Sequence, residues 1–385
     1  MMRLSLRALT TLALLLAVIA TARAAVPLPP PPPLAAKGWV LLDATSGRIL
    51  VGQNDTERLE PASLTKLMTS YVVFHALRDG KLKLDQELPV SEHAWRVGGA
   101  TSDGSTSYLP LHSQVKVVDA IQGMIVQSGN DATIVLAEAI AGSEQTFAVL
   151  MNQYSQRLGL TGSHWNNTAG LPDPQHYTTA RDVALLGAAL VREFPEYYKW
   201  FSQREFTYNH IRQFNRNGLL DRDPSVDGIK TGHTEAAGYC LASSALRDGM
   251  RLVAVVMGTA SPKAREDASE TLLGYGFSFF ETRRLYSAAQ RIGQAQVYKT
   301  SDPVPVVVHG DLYATAARGE LAGARAQLLL NPRLIAPLAA TTPVGHLRVT
   351  LGETLLADVP VYPAAAVEPG SLLRRMIDTV RLWFA

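Results

Sequence analysis

A mixed α/β or α+β catalytic domain followed by a smaller β domain is the fold class this sequence predicts, on three observations. Between residues 63 and 280 several runs carry apolar side chains at three- and four-residue spacing, the period of a helix with one buried face. Late in that stretch two apolar segments of strand length, 238–246 and 251–258, flank Arg247-Asp248-Gly249 and read as an antiparallel hairpin. Beyond Arg284 the texture changes to short runs spaced by Pro, Gly and Asp, such as Val304–Val308, Ala326–Leu330 and Leu347–Leu351. With 385 residues, 47% of them apolar, the chain can bury one large core and has room for a second.

In chain order, Arg3 and Arg7 precede an apolar run from Leu12 to Ile19, and Ala22-Arg23-Ala24 then makes an A-x-A site. Residues 1–24 read as a secretory signal peptide, since the run is shorter than the about 20 apolar residues of a spanning helix. Residues 25–37 are a Pro-rich linker: Pro27 to Pro33, broken only by Leu28, favours an extended spacer, with folded structure starting at Gly38. From Gly38 to Val51 two apolar runs flank Asp43-Ala44-Thr45-Ser46-Gly47, a second hairpin. A helix is predicted over Ser63–Leu77, stopped by Asp79-Gly80, and others over Val118–Gln127, Ala132–Ala141, Glu144–Leu158, Ala180–Arg192 and Lys263–Phe280. The catalytic domain is placed at 38–283 and the small β-rich domain at 284–367. After the Pro369-Gly370 break, 368–385 forms an amphipathic helix. Leu372, Leu373, Met376, Ile377, Val380, Trp383 and Phe384 gather on one face, while Arg374, Arg375, Asp378 and Arg381 lie mainly on the other. It is too short and too charged to span a bilayer; by pattern alone it suits a membrane surface or the chain's own β domain.

Composition excludes some partners. Thirty-six basic against 34 acidic side chains, a formal +2, lack the basic excess of a nucleic-acid-binding protein. The single cysteine, Cys240, cannot form an intramolecular disulfide, so a large core must supply the stability. His75, His164, His176 and His210 are scattered without metal-ligand spacing, and neither a metal nor a cofactor is expected.

Ser63-Leu64-Thr65-Lys66 puts a hydroxyl and an amine at i and i+3, on one face of a helical turn. An ammonium cannot accept the serine proton, so this lysine has to be neutral at working pH, and desolvation lowers a Lys pKa. Between Glu60 and Arg78 Lys66 is the only charged side chain, in a helix whose Leu67, Met68, Val72, Val73 and Phe74 should be buried. Ser113-Gln114-Val115-Lys116 repeats the spacing in a polar stretch and reads as a surface pair. Two further elements set Ser63 apart. Ser128-Gly129-Asn130 falls on a tight connection between two helical patterns, where it can present a hydroxyl and a carboxamide to a cleft or simply form an N-cap loop. Lys230-Thr231-Gly232 leads into the first strand of the late hairpin, where Gly232 would let a substrate backbone approach closely.

Together and in this order the three elements resemble the penicillin-recognising serine enzymes. Four longer segments narrow the likeness: Gln127-Ser128-Gly129-Asn130-Asp131-Ala132, Arg216-Asn217-Gly218-Leu219-Leu220, Val226 through Thr234, and Lys263-Ala264-Arg265-Glu266 look like the low-molecular-mass DD-carboxypeptidases. The resemblance runs from about Gly38 to the C-terminal helix. It implies a β-lactamase/transpeptidase-like catalytic domain, a five-stranded antiparallel sheet flanked by helices, followed by a small β domain. It also implies a serine DD-carboxypeptidase that removes the terminal D-alanine from peptidoglycan stem peptides through an acyl-enzyme and is inhibited covalently by β-lactams. Chemistry and resemblance together assign Ser63 as nucleophile, Lys66 as its base and Ser128 as the relay to the leaving amine. Asn130 would bind a substrate amide, and Lys230 with Thr231 the terminal carboxylate, Lys230 also keeping the network electropositive. The N–H groups of Ser63 and His233 would form the oxyanion hole, with His233 also placed to tune deacylation. Arg216 and Arg265 are carboxylate-binding candidates, or partners in structural salt bridges.

The resemblance also decides for the membrane surface as partner of the terminal helix. The protein is expected to be secreted across the cytoplasmic membrane and held in the periplasm on that membrane's outer face. Rival activities are a DD-endopeptidase cutting cross-links, a serine β-lactamase, and a non-catalytic wall-binding protein. No E-x-x-L-N segment lies between Asn130 and Lys230, against fast penicillin hydrolysis, and all three motifs are intact, against loss of catalysis. The loop Asn167-Thr168-Ala169-Gly170-Leu171-Pro172-Asp173 departs from the family pattern, which leaves the route of deacylation open.

Overall fold

The computed structural model describes residues 28–100 and 102–384; the expected signal peptide, residues 1–24, and the first linker residues lie outside the described residues. β1 (Gly38–Asp43), buried at every position, and β2 (Arg48–Gln53) form the first hairpin. Two short ribbons, β3 (Glu87–Pro89) with β4 (Gln114–Lys116) and β5 (Glu205–Tyr208) with β6 (Ile211–Phe214), stand apart from the main sheet. β7 (Val226–Thr234), β8 (Gly238–Arg247) and β9 (Met250–Thr259) complete it, all antiparallel, in the order β2-β1-β9-β8-β7. This is the five-stranded antiparallel sheet that the family resemblance implies.

Successive side chains of a strand point to opposite faces, and β9 feeds two cores in this way. Val253, Val255 and Met257 join one cluster, and Leu252, Ala254 and Val256 the other. The first cluster is covered by α1 (Thr65–Arg78), α2 (Glu92–Gly98), α3 (Val117–Gln122), α4 (Asn130–Ala141), α5 (Glu144–Leu158), α6 (Ala180–Glu193) and α7 (Pro195–Tyr198). The second is closed by the short α8 (Leu219–Arg222) and the long α9 (Pro262–Phe279). α1 is buried at every position from Thr65 to Leu77 except His75, as befits a helix apolar nearly all round at the centre of a domain.

Three expectations need correcting here. The predicted helix over Val118–Gln127 is α3 followed by a π-helical turn, Gly123–Gln127, ending at Ser128 with φ 66°. A run of five residues with only Met124, Ile125 and Val126 strongly apolar cannot distinguish the two helix types by period, and such wide turns gather at functional sites. The Pro-rich segment is no free spacer: Tyr275 Oη donates to the Pro29 carbonyl at 2.8 Å, and Leu34 and Ala36 pack on the α9-side core. An extended chain without internal hydrogen bonds leaves its carbonyls free for such a strap. The second unit begins at Phe280, not 284, with β10 (Phe280–Tyr286), because α9 runs into that strand without an intervening Pro or Gly.

β10 pairs with β13 (Leu312–Ala317), while β11 (Arg291–Ala295), β12 (Val304–Val307), β14 (Arg325–Leu330), β15 (Gly345–Leu351) and β16 (Thr354–Pro363) form a sheet of order β11-β12-β16-β15-β14 with its own core. At the junction Thr282 Oγ1 donates to the buried Asp43 carboxylate, and Ser46 and Arg48 bond Thr315. α10 (Leu372–Arg381) docks by its polar side. Asp378, 1% exposed, accepts from the Lys299 N–H at 2.8 Å and from Arg374 Nε at 3.0 Å. Its apolar side chains face out, with Leu372 75%, Trp383 77% and Phe384 87% exposed. Among the described residues no single helix is long and apolar enough to cross a membrane. Cys240, on β8, is fully buried.

Candidate active site

Ser63 sits in a single 3-10 turn, Ala62–Leu64, that feeds directly into α1. The N–H groups that open a helix have no intrahelical acceptor, so this turn offers backbone donors beside the hydroxyl. One turn on, Lys66 is 1% exposed, and its Nζ lies 3.0 Å from Ser63 Oγ, 2.7 Å from Asn130 Oδ1 and 2.7 Å from the Ala169 carbonyl. Burial, and then the Arg216 cation, bring this amine down to a pKa of about 7, against the opposing pull of Asp131 and Glu144. A large fraction is therefore neutral near pH 7, with a lone pair for the serine proton.

Ser128 and Asn130 reach the same point from the π turn and the start of α4. Ser128 occupies the left-handed region, and its Oγ is buried without a hydrogen-bond partner. Gly129, which precedes α4, makes no side-chain cap, so the motif is not an ordinary N-cap loop. Lys230, Thr231, Gly232 and His233 come in on β7, the edge strand of the sheet. Lys230 Nζ donates to the Thr231 carbonyl at 3.1 Å, and burial together with Lys66, Arg216 and Arg265 holds its pKa well below the ordinary range. A lysine so placed gains from any anion that enters, which is how it can hold a carboxylate. His233 stacks on Tyr239 with centroids 4.0 Å apart.

Arg216 and Arg265 stand across the same cleft. Arg216 Nη1 donates to Ser105 Oγ at 2.8 Å; Arg265, 5% exposed, donates to the carbonyls of Gly232 and Arg216, each at 3.3 Å, and its Nε is buried and unpartnered. Neither forms an ion pair among the described residues, so the salt-bridge alternative is not what the fold adopts. A cavity of about 370 Å³ is lined by Ser63, Ser128, Arg216, Thr231, His233 and Arg265. A second of the same size opens on the other side of Ser63, between Asn130, the Ala169–Pro172 loop and Thr234-Glu235. All ten residues singled out in the sequence thus converge on one cleft.

Gly232 lines the cleft cavity and also meets the backbone behind it. A Cβ there would lie 3.1 Å from the Pro61 carbonyl and 3.3 Å from Leu64 N, so the missing side chain lets β7 lie against the turn that carries Ser63. The second S-x-x-K spacing is dispersed: Lys116 lies on strand β4, and the partly buried Ser113 donates its Oγ–H to the Pro110 carbonyl. His176 is structural. Its Nδ1 accepts from the Asn166 N–H at 2.9 Å, Nε2 meets Thr65 Oγ1 at 2.8 Å, and burial lowers its pKa to about 4.

Sequence reasoning missed the acids behind the cleft. Asp131, fully buried, accepts from Thr106 Oγ1 and from the N–H groups of Ser107 and Leu109, and so fixes the strand of chain that carries Ser105. Its place inside the Ser128-Gly129-Asn130-Asp131 run was the available signal. Glu144 and the Ala169 carbonyl had none: a Glu after a serine cap looks like any first-turn charge, and backbone acceptors carry no residue type.

Comparison with known proteins agrees with this geometry. The family described as D-alanyl-D-alanine carboxypeptidase matches residues 25–261, and the C-terminal domain of penicillin-binding protein 5 matches 280–369. The D-alanyl-D-alanine carboxypeptidase DacA of Escherichia coli K12 is 40% identical over 353 residues, covering 91% of this chain and 88% of its own. That of Haemophilus influenzae is 43% identical over 314 residues, 80% of this chain and 79% of its own. Crystal structures of penicillin-binding protein 5 from H. influenzae superpose with a TM-score of 0.82 at 40% identity, covering 88% of this chain and 99% of that one. Penicillin-binding protein D2 of Listeria monocytogenes, in its cefotaxime-bound form, aligns at TM-score 0.59 and 27% identity over 65% of this chain and all of its own.

Proposed function

This chain belongs to the D-alanyl-D-alanine carboxypeptidase family of serine peptidases, and from that premise we propose how its cleft performs the reaction and where the protein works. It is a serine-type hydrolase that releases the terminal D-alanine of peptidoglycan stem peptides, and β-lactams are its covalent inhibitors. Ser63 Oγ attacks the carbonyl between the two D-alanines while its proton passes to the neutral Lys66 amine. The oxyanion so formed is received by the N–H groups of Ser63 and His233. The proton then travels through the Ser128 hydroxyl to the departing D-alanine nitrogen as the amide bond breaks, leaving the acyl group on Ser63. Water splits that ester, returning the hydroxyl and releasing the shortened stem. Lys230, Thr231, Arg216 and Arg265 hold the terminal carboxylate, and Asn130 orients the amide on the acyl side.

The observation that carries this assignment is the buried Lys66 amine, 3.0 Å from Ser63 Oγ with a pKa of about 7. The test uses the two S-x-x-K spacings. Ser63→Ala is expected to abolish both D-alanine release and labelling by a fluorescent penicillin, and Ser113→Ala to leave both near normal. Labelling that survives the first and vanishes in the second would reverse the assignment.

For location we infer export through the N-terminal signal segment and residence in the periplasm, with the terminal helix lying in the outer surface of the cytoplasmic membrane. The outward apolar face of α10 supports this reading, because nothing in the β domain covers it.

A further inference from the structure

We propose that Glu144 is a positioning residue for acylation: from the first turn of α5 it pins the 166–172 loop to α1, so that the Ala169 carbonyl receives Lys66 Nζ, and it sets a buried negative charge behind that amine. This rests on Lys66 as the base. A glutamate opening a helix is normally solvated and contributes only modestly, through the helix dipole. Here the side chain is 9% exposed and turned inward. Oε1 accepts from both the Thr168 N–H, at 2.9 Å, and the Thr168 hydroxyl, at 2.6 Å, while Oε2 lies 3.1 Å from Nε2 of the half-exposed His93 on α2. A buried carboxylate is costly unless its acceptors are used; here Oε1 is used twice on one residue of one loop, and Oε2 meets His93.

What that loop does follows from its next carbonyls. Thr168 C=O accepts from Thr69 Oγ1 at 2.7 Å, and Ala169 C=O accepts from Lys66 at 2.7 Å. The side chain of residue 169 is a methyl, so the loop meets the amine through its backbone alone. The acceptor's position is therefore the loop's position, and Glu144 fixes that from behind. Loss of the carboxylate would free Thr168 and let the Ala169 carbonyl drift from Nζ, which loosens the lysine rotamer that faces Ser63.

The charge acts on the same amine. The charged groups around Lys66 are Arg216 and Lys230, which favour its neutral form, and Asp131 and Glu144, which favour the ammonium. Asp131 belongs to α4 and is fully engaged by the 106–109 segment. Around Glu144 the titratable neighbours are His93, His176 and Lys66. Removing the Glu144 charge with shape retained makes the ammonium less favourable, so the base becomes available at lower pH.

The test is the acylation rate of the full mature protein by a chromogenic β-lactam across the acid limb of the pH profile, for wild type, Glu144→Gln, Glu144→Ala and Lys66→Arg. Glutamine keeps an acceptor for Thr168. Its plateau should stay within about threefold of wild type while its acid limb moves to lower pH, a displacement that a merely structural role would not cause. Alanine loses the anchor and should lower the plateau roughly 10- to 100-fold. An unmoved limb in Glu144→Gln overturns the proposal, as does a folded Glu144→Ala that acylates at the wild-type rate; if alanine does not fold, glutamine alone decides. Should Lys66→Arg acylate normally, it is the base assignment that falls, and the proposal with it.

Discussion

Lys66, the proposed base, shows how burial lowers the pKa of an amine and what that does to the fold. Its pKa of about 7 in the folded chain lies below the 10.5 of the unfolded one, so folding expels a proton at any pH between the two. Stability is therefore lowest near and below pH 7 and rises as pH climbs toward 10.5, the reverse of what a paired surface lysine gives. Lys230 is shifted in the same direction for the same reason. Lys66→Met should then be more stable than wild type at neutral pH. The gain is on the order of 4 kcal/mol from the proton alone, less about 2 kcal/mol for leaving the Asn130 and Ala169 acceptors unpaired. The difference should shrink by about 2 kcal/mol between pH 7 and 9, measured by urea denaturation. A difference that did not change with pH would mean Lys66 is charged in the folded state. At this scale the pairing of Ser63 with Lys66, the proposed nucleophile and base, was legible because they lie within one turn of helix. The Ala169 acceptor was not, since its identity as a carbonyl is independent of its side chain.

Elements position the cleft by close approach between backbones, and two glycines permit it. Gly170 has φ +86°, and a Cβ on it would sit 1.8 Å from the Ala62 carbonyl, where both partners are main chain. The loop that carries Ala169 can close on the Ser63 turn only without that atom. Gly170→Ala is expected to cost about 3 kcal/mol of stability and to slow acylation by about tenfold or more, read from denaturation and penicillin labelling of the same sample. Normal acylation in the folded variant would show that the loop is not needed at its present distance. The sequence predicted α5 to the residue and both hairpins to within two, because serine caps, turn residues and apolar period agree there. It placed the start of α4 two residues late and read through the π turn, since Ser128-Gly129-Asn130 serves the cleft and not the helix. Gly232 was assigned to close approach from the sequence, but the Pro61–Leu64 backbone it also lies against was not legible, because sequence reveals that room is needed and not what fills it.

The whole molecule has two sheet units and a terminal helix whose faces are arranged opposite to those of a packed helix. Asp378 goes inward and the leucines, methionine and aromatics stay out. The sequence pattern defined the two faces but left open which would be buried, because Asp378 reads as a surface charge until Lys299 is seen to need it. Arg374 and Arg381 both pair with Asp378, so the helix offers three positive charges less one to an anionic surface, about 2 kcal/mol near the lipid. A chain ending at Glu368 should keep full activity on small peptides and lose sedimentation with anionic vesicles. If the mature full-length protein does not sediment with them at low salt, the surface reading is wrong. A practical consequence lies with the lone cysteine. Cys240 is wholly enclosed on β8, and burial raises its thiol to about 11, so it is almost never a thiolate and offers no access to a reagent. The native protein is thereby a silent background for thiol chemistry: one cysteine introduced on the exposed face of α10 or at the cleft mouth would be its single labelling point, and two would report a distance between them.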